Sequence, residues 1–134
     1  MTAVVDASLL VGALISSGSD GRWCETAIAR GSLAAPELAL VETTNILRRL
    51  ELSGATSGPE TTAAQRDLLR LDLTLYPFAP FAARVWELRA NLTAYDAWYV
   101  ALAEALNWPL ITLDRRIGGA NGPRCEVILP PSTP

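Results

Sequence analysis

The chain has 134 residues, 50% of them hydrophobic and 19% charged, with a formal net charge of −3. That composition fits one domain with a full-sized core and argues against a protein held on nucleic acid by bulk electrostatics alone. There is no histidine and no lysine, all 11 basic residues being arginine. These gaps exclude Ser-His-Asp and Cys-His catalysis, histidine metal sites, Schiff-base chemistry and a phosphate-loop lysine. No apolar run approaches the ~20 residues of a membrane span. The opening "MTAVVDASLL" has no basic region ahead of its apolar stretch, so no secretory signal is expected. Cys24 and Cys125 fit no metal or redox spacing and read as reduced thiols of a cytoplasmic protein, a single disulfide being the alternative.

In chain order, "AVVDA" (Ala3 to Ala7) reads as a short buried strand, β-branched and without alternation. "SLLVGALISSG" follows as a helix opened by Ser8 and stopped near Gly18, and "GRWCETAIARG" as a second one ending at Gly31. "SLAAP" is a brief strand, with Pro36 placed in the first turn of the next helix. That helix, "ELALVETTNILRRLELSG", closes at Gly54, and Pro59 begins another that runs to about Leu71. "LTLYPF" is a strand and "FAARVWELRANL" a helix. Thr93 and Asp96 have the capping-box spacing that opens the next helix. "PLITL" and "EVILP" are the last strands, and residues 130–134 form a flexible tail. Continuous apolar strands alternating with helices predict an α/β fold around a mainly parallel sheet covered on both faces.

Asp6 and Asp114 each fall at the C-terminal end of a strand, where open α/β sheets bind ligands. Aspartate is also a common N-cap, so either alone would be ordinary. Asp96 stands in the first turn of a helix that looks like core, among Tyr95, Ala97, Trp98 and Tyr99. A capping acid normally faces water, so this one is expected at a polar pocket. Glu42 lies mid-helix with Asn45 and Arg49 at helical spacings, a solvated stripe or the wall of a cleft. Carboxylates gathered from four segments raise one another's pKa unless a cation intervenes. Mg²⁺ or Mn²⁺ takes such oxygens, supplies a nucleophilic hydroxide and neutralises a phosphodiester, with no histidine required.

These residues resemble the PIN domain, and in particular the VapC-type ribonuclease toxins of bacterial toxin–antitoxin pairs. "VVDAS", "APELALVETTNILRRL" and "LTAYDAWYVALAEALNWPLITLD" carry the likeness from Val4 to about Leu129. The resemblance implies a single PIN domain over 1–134, a three-layer α/β/α sandwich, and a metal-dependent endoribonuclease. Asp6, Glu42, Asp96 and Asp114 would be its catalytic and metal-binding acids. Ser8, Asn45 and Thr112 would be hydrogen-bonding groups behind them, and Arg115, with Arg116, would be a candidate contact to RNA phosphate. It also implies Mg²⁺ or Mn²⁺ as cofactor, a homodimer, an RNA substrate, a VapB-type antitoxin, a cytoplasmic location and no membrane association. Where some PIN domains carry a further acid, three residues after Asp114, this chain has Ile117.

Other readings fit less well. A phosphorelay receiver needs a lysine, and a haloacid-dehalogenase-type phosphatase needs a second Asp where Ser8 stands. A catalytically silent binding module on the same scaffold is the main alternative.

Overall fold

The computed structural model describes residues 2–15, 18–29 and 31–132. Residues 16–17, just before the expected stop of the first helix near Gly18, and the last two residues of the tail lie outside them. Five parallel strands, β1 (Ala3–Val5), β2 (Leu33–Pro36), β3 (Leu73–Tyr76), β4 (Leu110–Ile111) and β5 (Val127–Ile128), lie side by side in the order β3-β2-β1-β4-β5. The expected mainly parallel sheet is parallel throughout the described pairs. Short strands suffice because β1, β2 and β4 are wholly buried between helices, which is why they read as unbroken apolar runs.

The strand order places the site. From β1 the chain steps outwards through β2 and β3, then crosses back to β4 on the other side of β1. The switch point therefore falls between β1 and β4, and the crevice beyond their C-terminal ends is where such sheets bind ligands. Val4 pairs with Leu110 and Val5 with Ile111. Continued by one residue, that register sets Asp6 against Thr112.

Around the sheet run α1 (Ala7–Ile15), α2 (Gly18–Ile28), α3 (Leu38–Leu52), α4 (Gly58–Arg70), α5 (Ala82–Glu87), α6 (Ala94–Leu106) and α7 (Arg115–Gly119). Helix α1 packs on α2, α3 and α4, while α6 packs on β1, β2, β4 and α5. The result is the expected three-layer α/β/α sandwich. Helix α6 is buried without interruption from Ala97 to Ala103, as an apolar helix at the heart of a core must be. It ends at Asn107, whose left-handed backbone (φ 56°) releases the chain into β4.

Several local expectations are corrected. Helix α1 is opened by Asp6, whose Oδ1 accepts the Leu9 N–H at 3.0 Å, so the cap lies two residues before Ser8. Pro36 closes β2 instead of starting α3. Only β3 is alongside there, and the Glu37 N–H donates to the Tyr76 carbonyl at 2.9 Å, so the missing proline N–H costs nothing. The helix expected over 81–92 is regular only over Ala82–Glu87 and then breaks into turns. Cys24 is buried and Cys125 partly buried, and both are free thiols. No helix among the described residues is long and apolar enough to cross a membrane.

Candidate active site

Asp6 is 6% exposed and fully engaged. Its Oδ1 accepts from the Ser8 hydroxyl at 2.7 Å and from Leu9 N–H, and its Oδ2 accepts from the Thr112 hydroxyl at 2.5 Å. Thr112 also takes the Asp114 N–H at 2.9 Å, and Ser8 takes the Leu113 N–H at 3.1 Å. Ser8 and Thr112 thereby stitch the end of β1 to the turn after β4. Burial pushes the Asp6 carboxyl above its ordinary value, and the negative charge of Asp114 adds to this. The bonds from Thr112, Ser8 and Leu9 hold it back.

Glu42 comes from α3, whose Ala39, Thr43 and Leu47 stripe faces the core, leaving Glu42 half-buried on its flank. The Tyr99 hydroxyl donates to its Oε1 at 2.8 Å. Burial raises the Glu42 pKa, with Asp96 and Asp6 adding repulsion against the opposing pull of Tyr99. Asp96 is held in the first turn of α6 by the Thr93 cap, its N–H reaching Thr93 Oγ1 at 3.2 Å. Its carboxyl is also raised, by burial and then by Asp114, with Arg116 and Thr93 acting in the other direction. Asp114 caps α7 and receives Arg116 three times, through the backbone N–H at 3.0 Å, Nε at 3.1 Å and Nη2 at 2.8 Å. That guanidinium holds its carboxyl below the usual range.

The four acids thus face one end of the sheet, within electrostatic reach of one another in a chain from Glu42 through Asp6 and Asp96 to Asp114. Among the described residues no three His, Cys, Asp or Glu side chains converge closely enough to hold an ion unaided. The donor set nevertheless fits a hard cation. It is all carboxylate oxygen, three of the four groups are pushed towards protonation, and one exposed guanidinium is the cation in contact. Mg²⁺ commonly takes only one or two carboxylates directly and keeps several waters, so close convergence of three is not required.

Other sequence expectations divide. Asn45 is exposed on α3, and none of the hydrogen bonds of the acids involves it. The helix phase that buries Thr43 turns Asn45 outwards, and Val41 with it, at 65% exposure. Tyr95 is exposed as well, so the apolar surround expected at Asp96 is incomplete. Arg115 donates through Nη2 to the Pro130 carbonyl at 3.0 Å, which ties the C-terminal segment to α7, and it is Arg116 that reaches the acids. Ile117, in the place of a possible further acid, is core at 2% exposure. Tyr99 was missed, because its spacing on α6 is that of an ordinary core residue.

A cavity of about 420 Å³ lies at the opposite end of α6, where Glu104, Trp108, Arg124 and Cys125 are among its walls. None of the four acids lines it. The acids and this cavity are separate.

An α/β/α sandwich with acids grouped at its topological switch point defines a class, and sequence comparison gives the same one. Residues 3–121 match the PIN domain, and the chain belongs to that family. Within it the chain stands with the VapC ribonucleases. It is 39% identical to ribonuclease VapC9 of Mycobacterium tuberculosis over 128 residues, 96% of this chain and 98% of that one. Ribonuclease VapC1 of the same organism is 39% identical over 127 residues, 94% and 96% of the two chains. Among solved structures, a toxin–antitoxin complex from Klebsiella pneumoniae superposes with a TM-score of 0.70 at 19% identity, covering 98% of this chain and 99% of that one. The sarcin–ricin loop cleaving toxin VapC20 of M. tuberculosis gives 0.68 at 15% identity, covering 87% and 93%. These structural likenesses speak to the fold alone.

Proposed function

We propose that the chain, as a single PIN domain over 1–134, is a Mg²⁺- or Mn²⁺-dependent endoribonuclease and the toxin of a VapBC-type pair. The observation that carries this reading is the grouping of Asp6, Glu42, Asp96 and Asp114 within electrostatic reach of one another at one end of the sheet, in a chain closely related to named VapC ribonucleases. Asp6, Glu42, Asp96 and Asp114 would hold the ion. When bound, it would supply charge neutralisation at the phosphodiester and a water activated for attack. The chain's own contribution is positional. Ser8, Thr112 and the Leu9 N–H fix both oxygens of Asp6, so this carboxylate needs no reorganisation. Arg116, 86% exposed in its side chain, can exchange Asp114 for a substrate phosphate, a contact to which planar guanidinium is suited. Arg115 is a weaker candidate for that role, since its guanidinium is engaged by Pro130.

The partners in this reading are RNA, a VapB-type antitoxin and a second copy of the chain, in the cytoplasm and away from membranes. Exposed Val41, Leu52 and Trp86 offer apolar surface for protein contacts. The silent-module alternative is disfavoured because none of the four acids is replaced.

The test is cleavage of a mixed structured RNA by purified protein in Mg²⁺, in Mn²⁺ and in EDTA, with Asp6→Asn purified in parallel. Metal-dependent cleavage that disappears in the variant is expected. Equal cleavage by both proteins would assign the activity to a contaminant and remove its support from this site.

A further inference from the structure

We propose that Tyr99 is a positioning residue for Glu42, holding one carboxylate oxygen so that the other is presented to the cation. The inference rests on the metal-site reading above and adds a residue to it. Glu42 and Asp96 are carried by different helices, α3 and α6, which share β2 but otherwise pack on different neighbours: α3 on α1 and α4, and α6 on β1, β4 and α5. Among the described residues, the bond from Tyr99 Oη to Glu42 Oε1, 2.8 Å long, is the side-chain hydrogen bond that joins those two helices. Tyr99 lies three residues after Asp96, so the two project from the same side of α6. One helix thus supplies an acid and also the tether for the acid opposite.

The phenol is well suited to the task. Tyr99 is 2% exposed, so packing fixes its ring and leaves the hydroxyl little freedom to turn away. A neutral phenol has one proton to give, and Glu42 receives it. A half-buried glutamate has three side-chain torsions to restrain, and without this bond nothing in the structure selects one oxygen over the other. Groups that orient a ligand from behind in this way commonly change metal affinity by about 10–100-fold when removed.

The experiment is calorimetric titration of Mn²⁺ into wild-type protein, Tyr99→Phe, Glu42→Gln and the double variant, each also melted in EDTA. Phenylalanine keeps the buried ring, so the EDTA melt of Tyr99→Phe should stay close to wild type while its Mn²⁺ dissociation constant rises about tenfold or more. In the Glu42→Gln background the same change should add nothing, because the group it orients is no longer a carboxylate. A Tyr99→Phe protein that binds Mn²⁺ as wild type does, or an equal loss in both backgrounds, overturns the positioning role and leaves the metal site standing. Absence of Mn²⁺ binding by the wild type overturns both.

Discussion

Mild acidification of the metal-free protein should stabilise it, the reverse of what paired carboxylates produce. Asp6, Glu42 and Asp96 have folded pKa values raised above reference values of 3.8, 4.5 and 3.8, mainly by burial. A raised folded pKa means that the native state binds protons more tightly than the unfolded chain. Stability therefore falls as pH rises from the unfolded value through the folded one, and is regained on the way down. Each group contributes at most about 1.4 kcal/mol per pH unit while its folded form is protonated and its unfolded form is not. Glu42 and Asp96 are only half-buried, and solvent screening reduces their shares. Asp6, at 6% exposure, dominates.

Stability should therefore rise as the pH is lowered from 7.5 to 5.5. That range stays above the sequence pI of about 4.9, where precipitation would intrude. Asp114 and Glu104, held low by Arg116 and by Arg84, lose their contribution only below their unfolded values of 3.8 and 4.5, outside this window. The assay is urea unfolding in EDTA, followed by the fluorescence of the 4 tryptophans. Asp6→Asn should remove most of the pH trend while keeping the cap on Leu9, since Asn caps as well as Asp. Mg²⁺ at a hundredfold excess over its dissociation constant should add about 2.7 kcal/mol at pH 7.5 and flatten the trend, because proton and cation compete for the same oxygens. Stability that is flat or falls on acidification, in protein verified as metal-free, refutes the reasoning.

Other perturbations separate neighbouring parts of the same picture. Arg116→Gln should tighten Mn²⁺ binding by a few fold in calorimetry, because both oxygens of Asp114 are released from the guanidinium; weaker binding would show that Arg116 organises the site instead. Gly12→Ala would place a Cβ 2.6 Å from Cys24 Sγ and 3.2 Å from Leu113 Cδ1, and should cost about 1–3 kcal/mol of unfolding free energy despite the better helix former. Adding Cys24→Ala should restore much of that loss, and failure to do so would place the clash elsewhere. Arg84→Ala breaks the two-pronged pair with Glu104 (2.7 and 3.1 Å) and the bond to the Gly122 carbonyl, far from the acids. It should lower stability by about 1–3 kcal/mol with Mn²⁺ affinity unchanged; a change in affinity would reveal coupling between the two ends of α6.

Much of this architecture was legible because its signals are local. Unbroken apolar runs announced buried parallel strands, α4 starts at Gly58 beside the expected Pro59, and the Thr93 cap opened α6 where the sequence placed it. Acids at strand ends pointed to the switch point, and the register of β1 with β4 brings two of them there. What escaped is relational. Asn45, which the resemblance made a hydrogen-bonding group behind the acids, sits beside Glu42 on α3 but is exposed and bonded to none of them, because helix spacing carries no phase. Only the packing of Ala39, Thr43 and Leu47 decides which flank of α3 meets the site. Arg115 and Arg116 are indistinguishable as a pair of letters, and a one-residue rotation of α7 sends one to Pro130 and the other to Asp114. Pro36 was misplaced because its fitness for a strand end depends on β1 having already stopped beside it.

Asp6 carries the more general point. Its side chain is both the N-cap of α1 and the most buried of the acids. Read alone, the capping role accounts for an aspartate at that position, but not for this environment. A cap needs one accepting oxygen and is content with solvent around it. Here the second oxygen is taken by Thr112, the first is shared with Ser8, and no basic side chain is among the partners of the carboxylate. Serine or asparagine could open α1 without burying a charge. A carboxylate kept at this cost, with three donors fixing it and acids on either side, fits the proposed reading, in which its favourable partner would come from outside the chain. The same reasoning covers Glu42 and Asp96 and fails for Asp114, which has Arg116. In the proposed reading Asp114 would be the acid at which cation, guanidinium and substrate phosphate compete, and Asp6 the one around which the site is built.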